Sequence, residues 1–327
     1  MHIKSLICYV SIINISNECV PLKKITPEKL KESLLESNDN IFLYLGGHHF
    51  PQEFMNSAED AVKKIDNCTT LDWTWKETEL NDPEAFVGQE LYPQGGLLVG
   101  LKNIGGSTSP LLDHFINIWA NEQKGLLFTS TYSAYELDQH LKSILWIQGE
   151  EEAASKYRIN LQNPDYQSTW LASFAPKQLQ AFMGPISSIA WLEICGYDFQ
   201  WLIQTNEKPE LNLQKVGWYN YSQEQDIRYD KLALDFLHRE VTSHFNFHHR
   251  PKDRKQAEKS AKQFIKDCQE KGISDHQSII LALKSQFYMT KKETKETIEL
   301  LANDGVPLDV RIEIAEQRIN QAQQKEN

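Results

Sequence analysis

Two histidine pairs, a glycine-rich loop and an acidic run are the places where the residue types of this chain could do chemistry. His48 and His49 follow Gly46-Gly47, and adjacent imidazoles after a turn can serve as metal ligands or as a general base. No acidic or cysteine residue at ligand spacing completes a site there, and a loop position accounts for the pair as well. His248-His249 has the same shortfall. With Arg250, Lys252, Arg254 and Lys255 it forms the one local basic patch, which also reads as a solvated turn between helices. Gly105-Gly106-Ser107-Thr108 has the look of a phosphate cradle but lacks the P-loop lysine and any G-x-G-x-x-G spacing. No G-x-S-x-G elbow occurs. Glu150-Glu151-Glu152 has no second carboxylate pair placed by sequence and fits a solvated turn. The chain shows no catalytic constellation, no metal set and no cofactor motif.

The elements that would position such residues alternate through the first two-thirds of the chain. Residues 41–45 (Ile-Phe-Leu-Tyr-Leu) form a continuous apolar run ending at Gly46-Gly47, which predicts a buried strand and a sharp turn. Phe54, Ala58, Ala61, Val62 and Ile65 share a helical face. Leu71, Trp73 and Trp75 alternate with polar residues as in a half-exposed strand. Residues 96–101 (Gly-Leu-Leu-Val-Gly-Leu) predict another buried strand. Leu111, Leu112, Phe115, Ile118 and Trp119 have helical spacing, Gly125 ends that helix, and residues 126–131 make a further strand. Ser133-Ala-Tyr-Glu136 has the form of a capping box ahead of Leu137, Leu141, Ile144 and Leu145. Residues 186–194 and 197–204 read as a closing pair of strands with a turn near Gly196.

After about Ser222 glycine nearly vanishes and the periodicity is helical throughout. Five stripes follow: Leu232, Phe236, Leu237, Val241 and Phe245; then Ala257, Ala261, Phe264, Ile265 and Cys268, stopped by Gly272; then Ile279, Ile280, Leu283 and Phe287, capped by Ser274; then Thr297, Ile298 and Leu301, opened by Thr290 and ended near Gly305; then Val310, Ile314 and Ile319 after Pro307. Short loops between them predict a small bundle. The fold class is therefore α/β, a mixed sheet with packed helices over residues 1–222, followed by an all-α C-terminal helical lobe over residues 223–327.

Composition narrows the function. At 327 residues, 40% hydrophobic and 24% charged, with eight Trp, twelve Tyr and fourteen Phe, the chain has ample material for packed cores. A net charge of −11 argues against a nucleic-acid partner, which requires a basic surface. Five widely spaced cysteines with no C-x-x-C indicate neither a disulfide framework nor a zinc site, and fit reduced thiols in a cytoplasmic protein. The apolar residues 5–15 are about half as long as a membrane helix and lack a cleavage signal, so a buried strand is expected there, with no membrane insertion.

The order of elements over residues 125–185 is the most specific feature. A Gly-Leu-Leu strand (Gly125, Leu126, Leu127) precedes the helix at residues 135–145. A strand carrying Arg158 leads to Asn163-Pro164, then to a segment closing in Leu-x-x-Phe-x-Gly-Pro at Leu179, Phe182, Gly184 and Pro185, with Trp191 just beyond. This ordered set resembles the type VI secretion system effector adaptor or chaperone family, and residues 41–46 and 96–101 resemble that family's first two strands. The likeness covers roughly residues 38–205. Asn163 stands where the family has Asp, and the Arg-to-Pro spacing is slightly long, so an Asp–Arg ion pair at that place cannot form here. The same residues have folding roles: Gly184 can end a helix in a left-handed conformation, Pro185 stops its continuation, and Leu179 and Phe182 share a buried helix face.

The resemblance implies a non-enzymatic, cytoplasmic adaptor in a bacterium. It would hold a secreted effector protein and help load it onto the spike protein at the secretion tip, with no cofactor and no nucleic acid. The C-terminal helices then offer a partner surface. Phe245, Phe247 and Tyr288 are the aromatic candidates for exposed anchors, with burial in the bundle as the competing fate. Two other classes remain open on the sequence: a hydrolase-type enzyme with a site near His48 and His49, and an immunity protein that binds a toxin.

Overall fold

The computed structural model describes residues 22–37, 39–46, 73–74, 96–101, 110–144, 146–149, 156–159, 161, 164, 167–212, 214, 218–249 and 254–326. The apolar run at residues 5–15, the expected helix face from Phe54 to Ile65, and the Gly105–Thr108 and Glu150–Glu152 segments lie outside them. The chain divides into two compact units: described residues up to Ile194 together with Phe199–Leu232, and Cys195–Asp198 together with the chain from Ala233.

In the first unit the apolar runs become the strands of a seven-stranded sheet. Its strands are β1 (Lys23–Ile25), β2 (Asn40–Gly46), β3 (Trp73–Thr74), β4 (Gly96–Leu101), β5 (Gly125–Ser130), β8 (Ser188–Cys195) and β9 (Asp198–Thr205), in the order β1-β9-β8-β5-β2-β4-β3. The registers of β1 with β9, β2 with β4 and β5, β3 with β4, and β5 with β8 are antiparallel. Antiparallel sheets commonly leave one face to water and then alternate apolar with polar residues. Strands β2 and β5 do not alternate because both faces of the sheet are covered. Phe42, Tyr44, Leu126, Phe128 and Trp191 point into one core, and Ile41, Leu43, Leu45, Leu127 and Leu192 into the other.

Helices α1 (Pro27–Glu36) and α2 (Pro110–His114) cover the second face. Thr26 caps α1 by accepting from the Lys29 amide, and Pro27 occupies its first turn, the position where a missing N–H costs nothing. α2 continues as a π-helical segment, Phe115–Trp119. The wider turn changes which residues face inward: Ile116 is buried, whereas Ile118, expected in the buried stripe, is 44% exposed.

The first face carries α3 (Ala134–Ile144), α4 (Gln167–Ser173) and α5 (Pro176–Met183). The box before α3 is present, with the Ser133 amide donating to Glu136 Oε2 at 2.9 Å and the Glu136 amide to Ser133 Oγ at 3.4 Å. A separate three-stranded sheet joins β6 (Trp146–Gly149), β7 (Lys156–Arg158) and β10 (Tyr219–Tyr221) in the order β10-β6-β7. One of its pairs is parallel and the other antiparallel, which supplies the mixed pairing. Tyr219 and Tyr221, two apart on β10, reach the same aromatic core as Trp170, Phe174 and Phe182.

Among the described residues the second unit consists of the turn Cys195–Asp198 and five helices with their short connections: α6 (Gln223–His249, from Ala233 onward), α7 (Arg254–Glu270), α8 (His276–Tyr288), α9 (Lys291–Leu301) and α10 (Leu308–Glu326). α8 is buried nearly all round from Ser278 to Leu283 and packs against α7, α9 and α10, as its unbroken Ile-Ile-Leu-Ala-Leu run requires. Gly272, at φ +83°, ends α7 while the Ile273 amide bonds back to the Cys268 carbonyl. Two expectations change. Asp275, not Ser274, caps α8 by accepting from the Ser278 amide at 2.8 Å. On α10 the inward positions are Ile312, Ala315 and Ile319, while Val310 is exposed. Among the described residues no helix is long and apolar enough to cross a membrane.

One buried titratable group makes the first unit acid-sensitive. His140 on α3 is 2% exposed, with Nε2 2.9 Å from the Phe182 carbonyl. Burial pulls its pKa down from 6.5 to about 4, against the opposing effect of the bond to Phe182. The unfolded chain therefore takes up the proton first as pH falls. The stability held by neutral His140 is complete above about pH 6.5 and is lost progressively toward pH 4. Urea midpoints measured across that window should fall more steeply for the native chain than for His140→Gln, which keeps a donor but does not titrate. Parallel slopes would refute the assignment.

Candidate functional site

The glycines, Leu126, Leu127, Leu179, Phe182 and Pro185 of the family-like motif are spent on folding. Gly125 pairs with Leu45, and a Cβ there would stand 2.2 Å from the Tyr44 carbonyl oxygen. Leu126 and Leu127 enter opposite cores. Arg158 ends β7 opposite Trp146. Pro164 is buried, and Asn163 lies outside the described residues. Leu179 and Phe182 are buried beside Trp170 and Phe174. Gly184 closes α5 at φ +52° and its carbonyl accepts from the Glu210 amide and from Asn206 Nδ2. The Pro185 carbonyl accepts from Ser130 Oγ at 2.7 Å. His48 and His49, the alternative site, lie outside the described residues.

The three aromatic candidates come together in the second unit. The last two turns of α6 carry Phe245, Phe247 and the pair His244 and His248, four apart on one face. The end of α8 supplies Phe287 and Tyr288. The turn Cys195–Asp198 supplies Tyr197, which the sequence did not single out. Gly196 takes φ +65°, and a Cβ on it would lie 2.9 Å from Ser243 Cβ, so this turn approaches α6 closely. The Tyr197 amide donates to Ser243 Oγ at 2.9 Å and fixes the ring above α6.

Tyr197 then makes two kinds of contact. Its ring lies flat on Phe247, centroids 3.7 Å apart and planes 8° from parallel. Its hydroxyl is 2.8 Å from the Tyr288 hydroxyl and 3.1 Å from His248 Nε2, and the Tyr288 hydroxyl is 3.4 Å from the same nitrogen. His248 stacks on Phe287 at 4.0 Å, and Phe245 packs edge-on to Phe264 and Phe287. Phe245 and Tyr288 are partly buried, so both proposed fates apply to them in part. Phe247 is 53% exposed while held from behind by Tyr197.

Electrostatics limit the chemistry available there. Burial, then the hydrogen bond with Tyr288, pushes the Tyr197 hydroxyl above its ordinary range, so it stays a neutral phenol and a weak nucleophile. Burial and neighbouring His249 hold His248 below its ordinary value. Burial draws His244 down to about 4. Among the described residues no group of three His, Cys, Asp or Glu side chains is placed to hold a metal ion. What the arrangement does well is present a supported aromatic ring beside two mutually hydrogen-bonded hydroxyls, which is the chemistry of an interface anchor. No protein-family model matches the chain, and no curated protein or solved structure matches it either.

Proposed function

We propose that the protein is a cytoplasmic, non-enzymatic adaptor that binds a type VI secretion effector and helps load it onto the spike protein, using the Tyr197–Phe247–Tyr288 surface for capture. The observation that carries the reading is Phe247, an exposed ring already ordered by stacking on Tyr197. Pre-ordering lowers the entropy cost of docking, and such aromatic anchors supply most of the energy of an interface. The secretion class rests on the ordered set from Gly125 to Pro185, whose leucines and Phe182 are buried and leave recognition to other surfaces.

Tagged protein purified from a strain with an intact secretion system should carry an effector and the spike protein, identified by mass spectrometry. Phe247→Ala should weaken that capture by about 30-fold, the scale of one anchor residue, while Tyr135→Ala, at an exposed aromatic of the first unit, leaves it unchanged. Recovery of the protein alone, together with unchanged effector secretion after deletion of its gene, would overturn the proposal.

A further inference from the structure

We propose that Tyr197, His248 and Tyr288 form a proton-counting relay that decides whether the docking surface offers a hydrogen-bond acceptor or a donor. The three polar atoms close a triangle of two hydroxyls and one ring nitrogen, with edges of 2.8, 3.1 and 3.4 Å. Each hydroxyl carries one proton. When His248 Nε2 is bare, both protons find acceptors inside the triangle: Tyr288 donates to Tyr197, and Tyr197 donates to Nε2. A proton on Nε2 reverses the chain. Nε2–H then donates to Tyr197, Tyr197 to Tyr288, and the Tyr288 proton has no acceptor left within the triangle and turns outward. The triangle thus favours the Nδ1–H tautomer of neutral His248 and resists a third proton.

The other groups around His248 fit this count. On α6 the neighbouring titratable residues are His244 and His249, whose rings lie near it or near Phe287. Across from them stand Tyr288 and Phe287 of α8 and Tyr197 of the turn. Lys284 acts on His244 against Glu240. Tyr197 stays protonated because burial raises its pKa, so within the triangle His248 is the member whose proton count changes, at a pH below the ordinary imidazole value. Neutral His248 leaves Tyr288, bonded to the tyrosine that backs Phe247, with lone pairs that suit an N–H donor of a partner. Acidification presents an O–H instead and releases that partner. The docking consequence rests on the adaptor reading; the relay does not.

Long-range proton–nitrogen spectra of the full-length protein decide it. At neutral pH His248 should show the Nδ1–H tautomer. In Tyr197→Phe/Tyr288→Phe it should revert to Nε2–H and bind its proton at least about threefold more tightly, because no hydroxyl competes for the lone pair. An Nε2–H tautomer in the native chain, or an unchanged titration in the double variant, overturns the relay, and the first readout needs no variant to fold. Captured partner washed from about pH 7.5 down to 5, the span in which imidazoles titrate, should leave the native chain along the His248 titration and leave the double variant without that dependence. Capturing no partner at any pH would sink the adaptor reading while the spectra still judge the relay.

Discussion

Gly125→Ala is expected to cost the first unit about 3 kcal/mol or more, the top of the overpacking range and a large part of the stability of an ordinary domain. The added Cβ would sit 2.2 Å from the Tyr44 carbonyl oxygen and 3.0 Å from both Tyr44 C and Leu45 Cα. These are backbone atoms and no rotamer change moves them aside. β2 is held between β4 and β5 with six paired residues on each side, so a retreat from β5 would disturb β4 as well. Retreat would also drag Leu43 and Tyr44, buried in opposite cores. A urea or guanidinium titration of the variant reads the loss directly. A midpoint within error of the native chain would show that the two strands separate at little cost.

Gly184→Ala is the second large effect, expected at about 3 kcal/mol from two sources. Backbone angles of φ +52° and ψ −115° belong to glycine. The methyl group would also meet the His140 imidazole, with Cε1 at 2.4 Å and both ring nitrogens at 2.8 Å. His140 has no easy retreat, being buried and bonded to the Phe182 carbonyl. The steric part, unlike the backbone part, needs the ring. In a double-mutant cycle His140→Ala should therefore recover about 1 kcal/mol or more of the Gly184→Ala loss. Strict additivity would mean that the backbone angles alone set the cost.

These two glycines show where the sequence was readable. The Gly-Leu-Leu and Leu-x-x-Phe-x-Gly-Pro patterns marked the right residues, because a close strand approach and a helix end at positive φ each demand glycine, although Gly184 takes ψ −115° and not the left-handed helical conformation expected of it. Residues 41–45 and 96–101 were legible as strands since burial on both faces writes an unbroken apolar run, and residues 126–131, realised as Gly125–Ser130, from Leu-Leu-Phe after a glycine. The five helices after Ser222 were legible from spacing alone. The π segment was not, and its wider turn exchanged Ile118 for Ile116. α1 was left unread although Thr26-Pro27 is a recognisable start signal, and the order of the strands was beyond a pattern that reports only local periodicity. Of the candidate surface, Phe245, Phe247 and Tyr288 were legible as large aromatics on the C-terminal helices. Tyr197 was missed because it stands 51 residues from His248 and 91 from Tyr288. No spacing rule joins residues that far apart.

The turn Cys195–Asp198 has a consequence for how the docking surface is inherited along the chain. The helical unit is not one uninterrupted stretch of sequence: among its described residues, Cys195–Asp198 are made well before α6. A fragment beginning at Ala233 carries Phe247, His248 and Tyr288 yet leaves Ser243 without the amide it accepts from and Phe247 without the ring behind it. The surface is therefore not a portable cassette. Grafting the helices onto another protein, or exchanging them by recombination at the start of α6, would transfer the anchor without its support. During synthesis, too, Tyr197 must wait for nearly a hundred further residues before its last partner, Tyr288, leaves the ribosome.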